Sequence, residues 1–138
     1  MALSADDRLD ILELPGRYAE ALDTLQPDDL HTVFTDDAVW EVEGGRVHLD
    51  GLTAIAEFMG QPDVHPGAHI MANPFISEVG EDEQGRPMAR LKTRGVYPVG
   101  PSDPRNPSAV FYGRYEDEIV RTDAGWRIRH RSYRYGGA

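Results

Sequence analysis

Asp23 and His69 are polar residues set into runs that are otherwise apolar, and together they could move a proton. A histidine held by a carboxylate has its tautomer fixed and its imidazolium stabilised, which is the arrangement of a general base. Asp23 closes a run in which Leu14, Tyr18, Ala21, Leu22 and Leu25 recur at three- and four-residue spacing. That spacing predicts an amphipathic helix whose apolar stripe passes Tyr18 and lies close to Asp23. His69 opens the strand-like run His69 to Ile76, where alternation puts His69, Met71 and Asn73 on one face. An arbitrary Asp and His in one chain are far more often a helix end and an exposed strand residue. The pairing must therefore be carried by the rest of the chain.

The elements that would position this pair are readable in order. The first helix is predicted from Ser4 or Ala5 to Leu25, kinked at Pro15, and the second from Gln26-Pro27 to near Thr35. Ala38 to Glu43 alternates as a strand with Trp40 and Val42 inward, and Gly44-Gly45 marks the following turn. Leu52 to Met59 reads as a short helix closed by Gly60, and a Pro- and Gly-rich loop leads to His69. Three further strands follow, Pro87 to Val99, Ala109 to Arg121 and Trp126 to Tyr135. Turn-rich segments separate them, Gly100 to Pro107 and Thr122 to Gly125. Helices followed by a meander of long strands imply an α+β fold in which N-terminal helices pack into a curved, mostly antiparallel sheet. Such a sheet closes into a cone-shaped α+β barrel, open at one end, with residues 1–138 expected to form a single domain.

Composition removes several function classes. With 40% hydrophobic and 28% charged residues the chain has an ordinary globular composition, and no apolar stretch is long enough for a membrane helix. The N-terminal residues lack the basic start and apolar segment of a signal peptide, so the expected location is cytoplasmic. No cysteine is present, which excludes disulfides, thiolate metal sites and cysteine nucleophiles. A net charge of −10 opposes nucleic-acid binding. His31, His48, His65 and His130 show no metal-ligand spacing, and no phosphate loop or Gly-x-Ser-x-Gly elbow occurs. Neither a metal nor another cofactor is expected.

The remaining candidates have two readings each. Tyr18 is either core or a hydroxyl that donates to a substrate oxygen, and in either case its hydroxyl needs a partner. Trp40 either lines a pocket or fills the core. Asn73 either meets substrate or, the favoured reading, satisfies backbone ahead of Pro74. Arg127, Arg129 and Arg131 share one face of an ideal last strand, and only a bulge would separate them. Arg131 is then either part of a basic edge or an inward charge that stabilises an oxyanion or leaving group.

In Arg17 to Asp23, Phe34 to Trp40, His69 to Pro74, Tyr112 to Asp117, Gly125 to Ile128 and Arg131, the chain resembles the SnoaL-like branch of the nuclear-transport-factor-two-like α+β-barrel superfamily. The resemblance spans nearly the whole chain. Its nearest site layout is that of scytalone dehydratase, γ-hexachlorocyclohexane dehydrochlorinase and bile-acid 7α-dehydratase. The resemblance implies a cofactor-independent elimination: neutral His69 removes a proton, Asp23 holds the imidazole, and Tyr18 donates to a carbonyl oxygen or leaving group. Two departures matter: the second histidine of scytalone dehydratase has no counterpart, and Val42 stands where that enzyme has a pocket tyrosine and roughly where the ketosteroid isomerases, another branch, carry their Asp base. The expected function is a dehydratase-like lyase acting on a small hydrophobic or polycyclic substrate. A natural-product cyclase or isomerase and a noncatalytic binding module are the alternatives. Trp40, Val42, Met71, Asn73, Tyr97 and Arg131 are the candidate substrate-binding residues. A homodimer or homotrimer is expected, because the open sheet face needs covering.

Overall fold

The computed structural model describes residues 2–61, 68–99 and 109–136; His65 and the turn at 100–107 lie outside the described residues. Helix α1 spans Ala5–Asp23 and begins with a reciprocal cap. The Asp7 amide donates to Ser4 Oγ at 3.0 Å, and the Ser4 amide donates to Asp7 Oδ2 at 2.9 Å. The helix runs on through buried Pro15, and it stops at Asp23 rather than Leu25 because Leu25 takes φ of 52°. The Gln26 amide then closes the end on the Ala21 carbonyl at 2.8 Å. The expected second helix is a 3₁₀ turn, Pro27–Thr32, and ends earlier than predicted, since strand β1 already begins at Phe34.

Strand β1 spans Phe34–Val42, β2 Val47–Asp50, β3 Ile70–Glu81, β4 Pro87–Val99, β5 Ala109–Thr122 and β6 Gly125–Tyr135, with helix α2, Leu52–Met59, between β2 and β3. They form one six-stranded sheet in the order β2-β1-β6-β5-β4-β3. Among the described strands only the β1–β6 contact is parallel; the other pairs are antiparallel. Helices packed against this curved, mostly antiparallel sheet give the α+β cone the sequence predicts. Ile11, Leu14 and Leu22 of α1 join Leu91, Ile119 and Ile128 of the sheet in one buried cluster. Burying each of these aliphatic side chains contributes roughly 1.5–3 kcal/mol.

Both ends of α1 are tied to the sheet through an aspartate. At the start, Asp7 accepts from Trp126 Nε1 at 3.0 Å and pairs with Arg121. The Trp126 hydrogen bond first, and the cap next, hold its carboxyl well below the usual carboxylate range. At the other end stands Asp23.

Two irregularities decide which side chains face inward. Along β6 the register with β5 passes from Glu118↔His130 to Ile119↔Ile128, leaving Arg129 as the extra residue of a bulge. The bulge reverses the alternation. Trp126 and Ile128 are buried on one side of it and Arg131 and Tyr133 on the other, while Arg129 pairs outward with Glu118. The ideal-strand reading that grouped Arg127, Arg129 and Arg131 is thereby corrected. In β3, pairing with β4 shifts between Ala72 and Phe75, where Asn73 takes φ of 55°, a left-handed conformation that asparagine tolerates better than most residues.

Candidate active site

Asp23 is the last residue of α1 and His69 the last residue before β3, so the pair joins a helix end to a strand start. The His69 backbone amide donates to Asp23 Oδ2 at 2.8 Å, and His69 Nδ1–H donates to Oδ1 at 2.6 Å. One carboxylate thus fixes both the position of the residue and the orientation of its ring. With the proton on Nδ1 held by Asp23, the lone pair resides on Nε2, the nitrogen on the opposite edge of the ring. The His69 side chain is 6% exposed and that of Asp23 20%. Tyr18 and Tyr97 flank the imidazole, with ring centroids 6.5 and 5.5 Å away.

His69 forms part of the wall of a cavity of about 200 Å³ inside the cone. Tyr18, Trp40 and Met59 line a buried part, Val42, Val47 and Phe58 the sides, and exposed Tyr135 lies beside half-buried Tyr97 and buried Tyr133. None of these lining residues is acidic, and none is a lysine or an arginine. The Tyr18 hydroxyl donates only a long contact, 4.0 Å, to Met59 Sδ. Burial pushes its pKa up to about 12, partly offset by nearby Arg131 and the Trp40 indole, so it remains a neutral donor. The Trp40 Nε1–H makes no well-aligned hydrogen bond of its own.

Two glycines give the cavity its depth. Gly95 and Gly113 face each other across β4 and β5. A Cβ on Gly95 would come within 2.6 Å of the Tyr115 ring, and one on Gly113 would overlap the Tyr133 phenol. The missing side chains let Tyr115 and Tyr133 lie flat on the sheet, with centroids 4.8 Å apart.

Arg131 is fully buried beneath this cavity rather than on its wall. It donates from Nε and Nη2 to Oδ1 and Oδ2 of Asp117, both at 2.7 Å, and its guanidinium lies 4.3 Å from the Tyr18 and Tyr115 ring centroids. Burial opposes its charge, and Asp117 more than restores it, so the guanidinium stays charged. Its Nη1 makes no hydrogen bond.

The structure therefore brings His69, Asp23, Tyr18, Trp40, Val42 and Tyr97 together. Met71 is half-buried against the core and Asn73 is exposed, and neither is among the lining residues; the β3 irregularity at Asn73 breaks the alternation that grouped it with His69. Sequence reasoning missed Asp117, Tyr115, Tyr133 and Tyr135. The signal for Asp117 was its parity: it alternates inward with Tyr115, and an inward acid needs a cation. Among the described residues no three His, Asp or Glu side chains come together as a metal set, and no helix is long and apolar enough to cross a membrane.

A model of the SnoaL-like domain matches residues 4–132. The chain belongs to the SnoaL-like family. Uncharacterized proteins of Mycobacterium tuberculosis and Mycobacterium bovis are each 31% identical to it over 133 residues, covering 91% of this chain and 82% of theirs. Solved structures share the fold of this SnoaL-like chain. A protein of unknown function with a cystatin-like fold from Nostoc punctiforme aligns with a TM-score of 0.76 at 18% identity, covering 100% of this chain and 97% of that one. A nuclear transport factor 2-like protein from Salmonella enterica gives 0.70 at 20% identity over 99% and 95%. A protein provisionally called a scytalone dehydratase, from Novosphingobium aromaticivorans, gives 0.71 at 20% identity over 97% and 89%. At these identities the likeness is one of fold.

Proposed function

We propose that this SnoaL-like protein is a cofactor-independent lyase that eliminates water or a similar leaving group from a small, ring-bearing substrate. The observation that carries the reading is the two-point grip of Asp23 on His69 at the wall of an aromatic cavity. His69 Nε2 takes a proton from a carbon next to an activating carbonyl, and Asp23 stabilises the imidazolium that forms. The electron pair of the broken C–H bond forms the new double bond as the leaving group departs. Tyr18, neutral and buried, donates to the carbonyl oxygen or to the departing hydroxyl. A positioned base of this kind supplies roughly 10² to 10⁴ in rate, and the cavity must supply the rest by orientation.

Side chains filling the cone and a histidine turned from Asp23 would favour the alternative of a noncatalytic binding module, whereas His69 is held by Asp23 beside an open cavity. The test is elimination from a panel of cyclic β-hydroxy ketones followed by mass spectrometry, with wild type against His69→Gln and Asp23→Asn. Turnover by wild type that both variants lose supports the reading, and equal turnover by all three proteins overturns it.

The reading includes a homo-oligomer. Ile70, Phe75, Val110 and Tyr112 are each more than half exposed, an apolar surface that a second copy would cover. A monomer by light scattering at micromolar concentration would count against it.

A further inference from the structure

The cavity has a second polar end that the elimination chemistry does not use. The Tyr133 hydroxyl donates to Tyr97 Oη over 3.5 Å, at the outer limit for a hydrogen bond, and Tyr135 packs on Tyr133 with ring centroids 5.0 Å apart. The Tyr97 hydroxyl is also close enough to Tyr135 for the two phenols to influence each other. An oxygen seated among these hydroxyls would make shorter bonds than Tyr133 makes to Tyr97. Burial holds Tyr97 and Tyr133 above the ordinary phenol value, so both stay neutral and can donate as well as accept. Away from them, the Tyr18 hydroxyl donates only over 4.0 Å, to the Met59 thioether, and the Trp40 Nε1–H beside it makes no well-aligned hydrogen bond. Between the ends the walls are apolar or aromatic, and none of the lining residues carries a formal charge apart from what His69 can gain.

Size narrows the ligand further. An apolar cavity of about 150 Å³ engineered into another protein holds one benzene, so about 200 Å³ suits a single substituted ring better than a polycycle. We propose that Tyr97, Tyr133 and Tyr135 form a second polar subsite, and that the cavity takes an uncharged single-ring molecule bearing oxygen substituents at opposite ends, one held at Tyr18 and one at this subsite. The identity of the cavity as the active site rests on the reading above; the subsite itself does not require turnover.

The experiment is calorimetric titration of phenol, resorcinol, hydroquinone and benzoate into wild type, Tyr97→Phe, Tyr133→Phe and His69→Ala, each checked for an unchanged thermal melt. The better of the two diols is expected to bind roughly fivefold or more tighter than phenol, the gain of one good neutral hydrogen bond. That diol-to-phenol ratio should shrink to about twofold or less in Tyr133→Phe or Tyr97→Phe and should survive in His69→Ala. Benzoate should bind more weakly than phenol, because its charge enters an uncharged cavity. No diol advantage in wild type, an advantage retained in both phenylalanine variants, tighter binding of benzoate, or no binding of any probe at millimolar concentration would overturn the proposal. A diol preference without elimination activity would sink the lyase reading alone, and elimination without a diol preference would sink the subsite alone.

Discussion

Asp23 and Asp117 each hold a nitrogen base through both carboxylate oxygens, yet the two pairs sit in different surroundings. Asp117 meets Arg131 where both side chains are 0% exposed, directly opposite on β5 and β6, with tyrosine rings on either side of the guanidinium. Asp23 meets His69 at the cavity wall, with 20% of its own side chain exposed. The first base cannot give up its proton near neutral pH, so that pair is a fixed element of the core. The second base is an imidazole, which can take up and release a proton, and it touches the cavity, so on the proposed reading the same carboxylate chemistry serves proton transfer. A salt bridge in a structure thus says little about function until the titratability and access of the partner are known.

The comparison can be broken most directly at His69. His69→Ala should lower kcat by roughly 10² to 10⁴ with little change in thermal stability. Unchanged turnover would remove the proton-transfer role from the dyad. Asp117→Ala should do the reverse, costing about 3–5 kcal/mol in a urea titration because it strands the buried guanidinium of Arg131. A loss under about 1 kcal/mol would mean that the pair is not the fixed core element described. The rings around Arg131 offer a third test. Tyr18 has an ordinary value of 10.0 and a folded value of about 12, so the folded state keeps its proton where the unfolded state has lost it. Its contribution is fully present below pH 10.0 and is lost as pH rises through about 12, a fall of roughly 2–3 kcal/mol. Ultraviolet difference spectra should then show phenolate appearing together with unfolding, and Tyr18 ionising freely in the folded protein would refute this. Gly113→Ala should have a smaller effect, about 1–3 kcal/mol, by pushing Tyr133 off the sheet. If denaturant midpoints show no loss, Tyr133 has another rotamer available and the glycine pair does not set the cavity depth.

Most of the elements were legible because their signals are local. Leu52–Met59 and Pro87–Val99 begin and end where the apolar periodicity and the turn residues predict. The dyad was legible because an acid near an apolar helix stripe and a histidine opening a strand are both out of place. What could not be read was the side-chain parity beyond an irregularity. Alternation assumes an unbroken strand, and one extra residue at Arg129 turns Arg131 from the outer face to the core, just as the left-handed Asn73 removes itself from the His69 face. Nothing in the residue types near Arg129 marks a bulge; the pairing with β5 and β1 creates it, since the β1–β6 register slips over the same stretch. The tyrosines of the cavity were hidden for a related reason. Their positions depend on which strands face each other across the cone, and that follows from topology rather than from any local pattern.

The sheet order has a consequence for the order in which a ribosome releases this chain. β6 follows every other strand in sequence, yet it lies in the middle of the sheet, between β1 and β5. Until it emerges, β1–β2 and β3–β4–β5 are two separate ribbons, Arg131 has not reached Asp117, and Trp126 has not reached Asp7. The nascent chain therefore carries unpaired strand edges until β6 emerges, and the cavity is complete only after that.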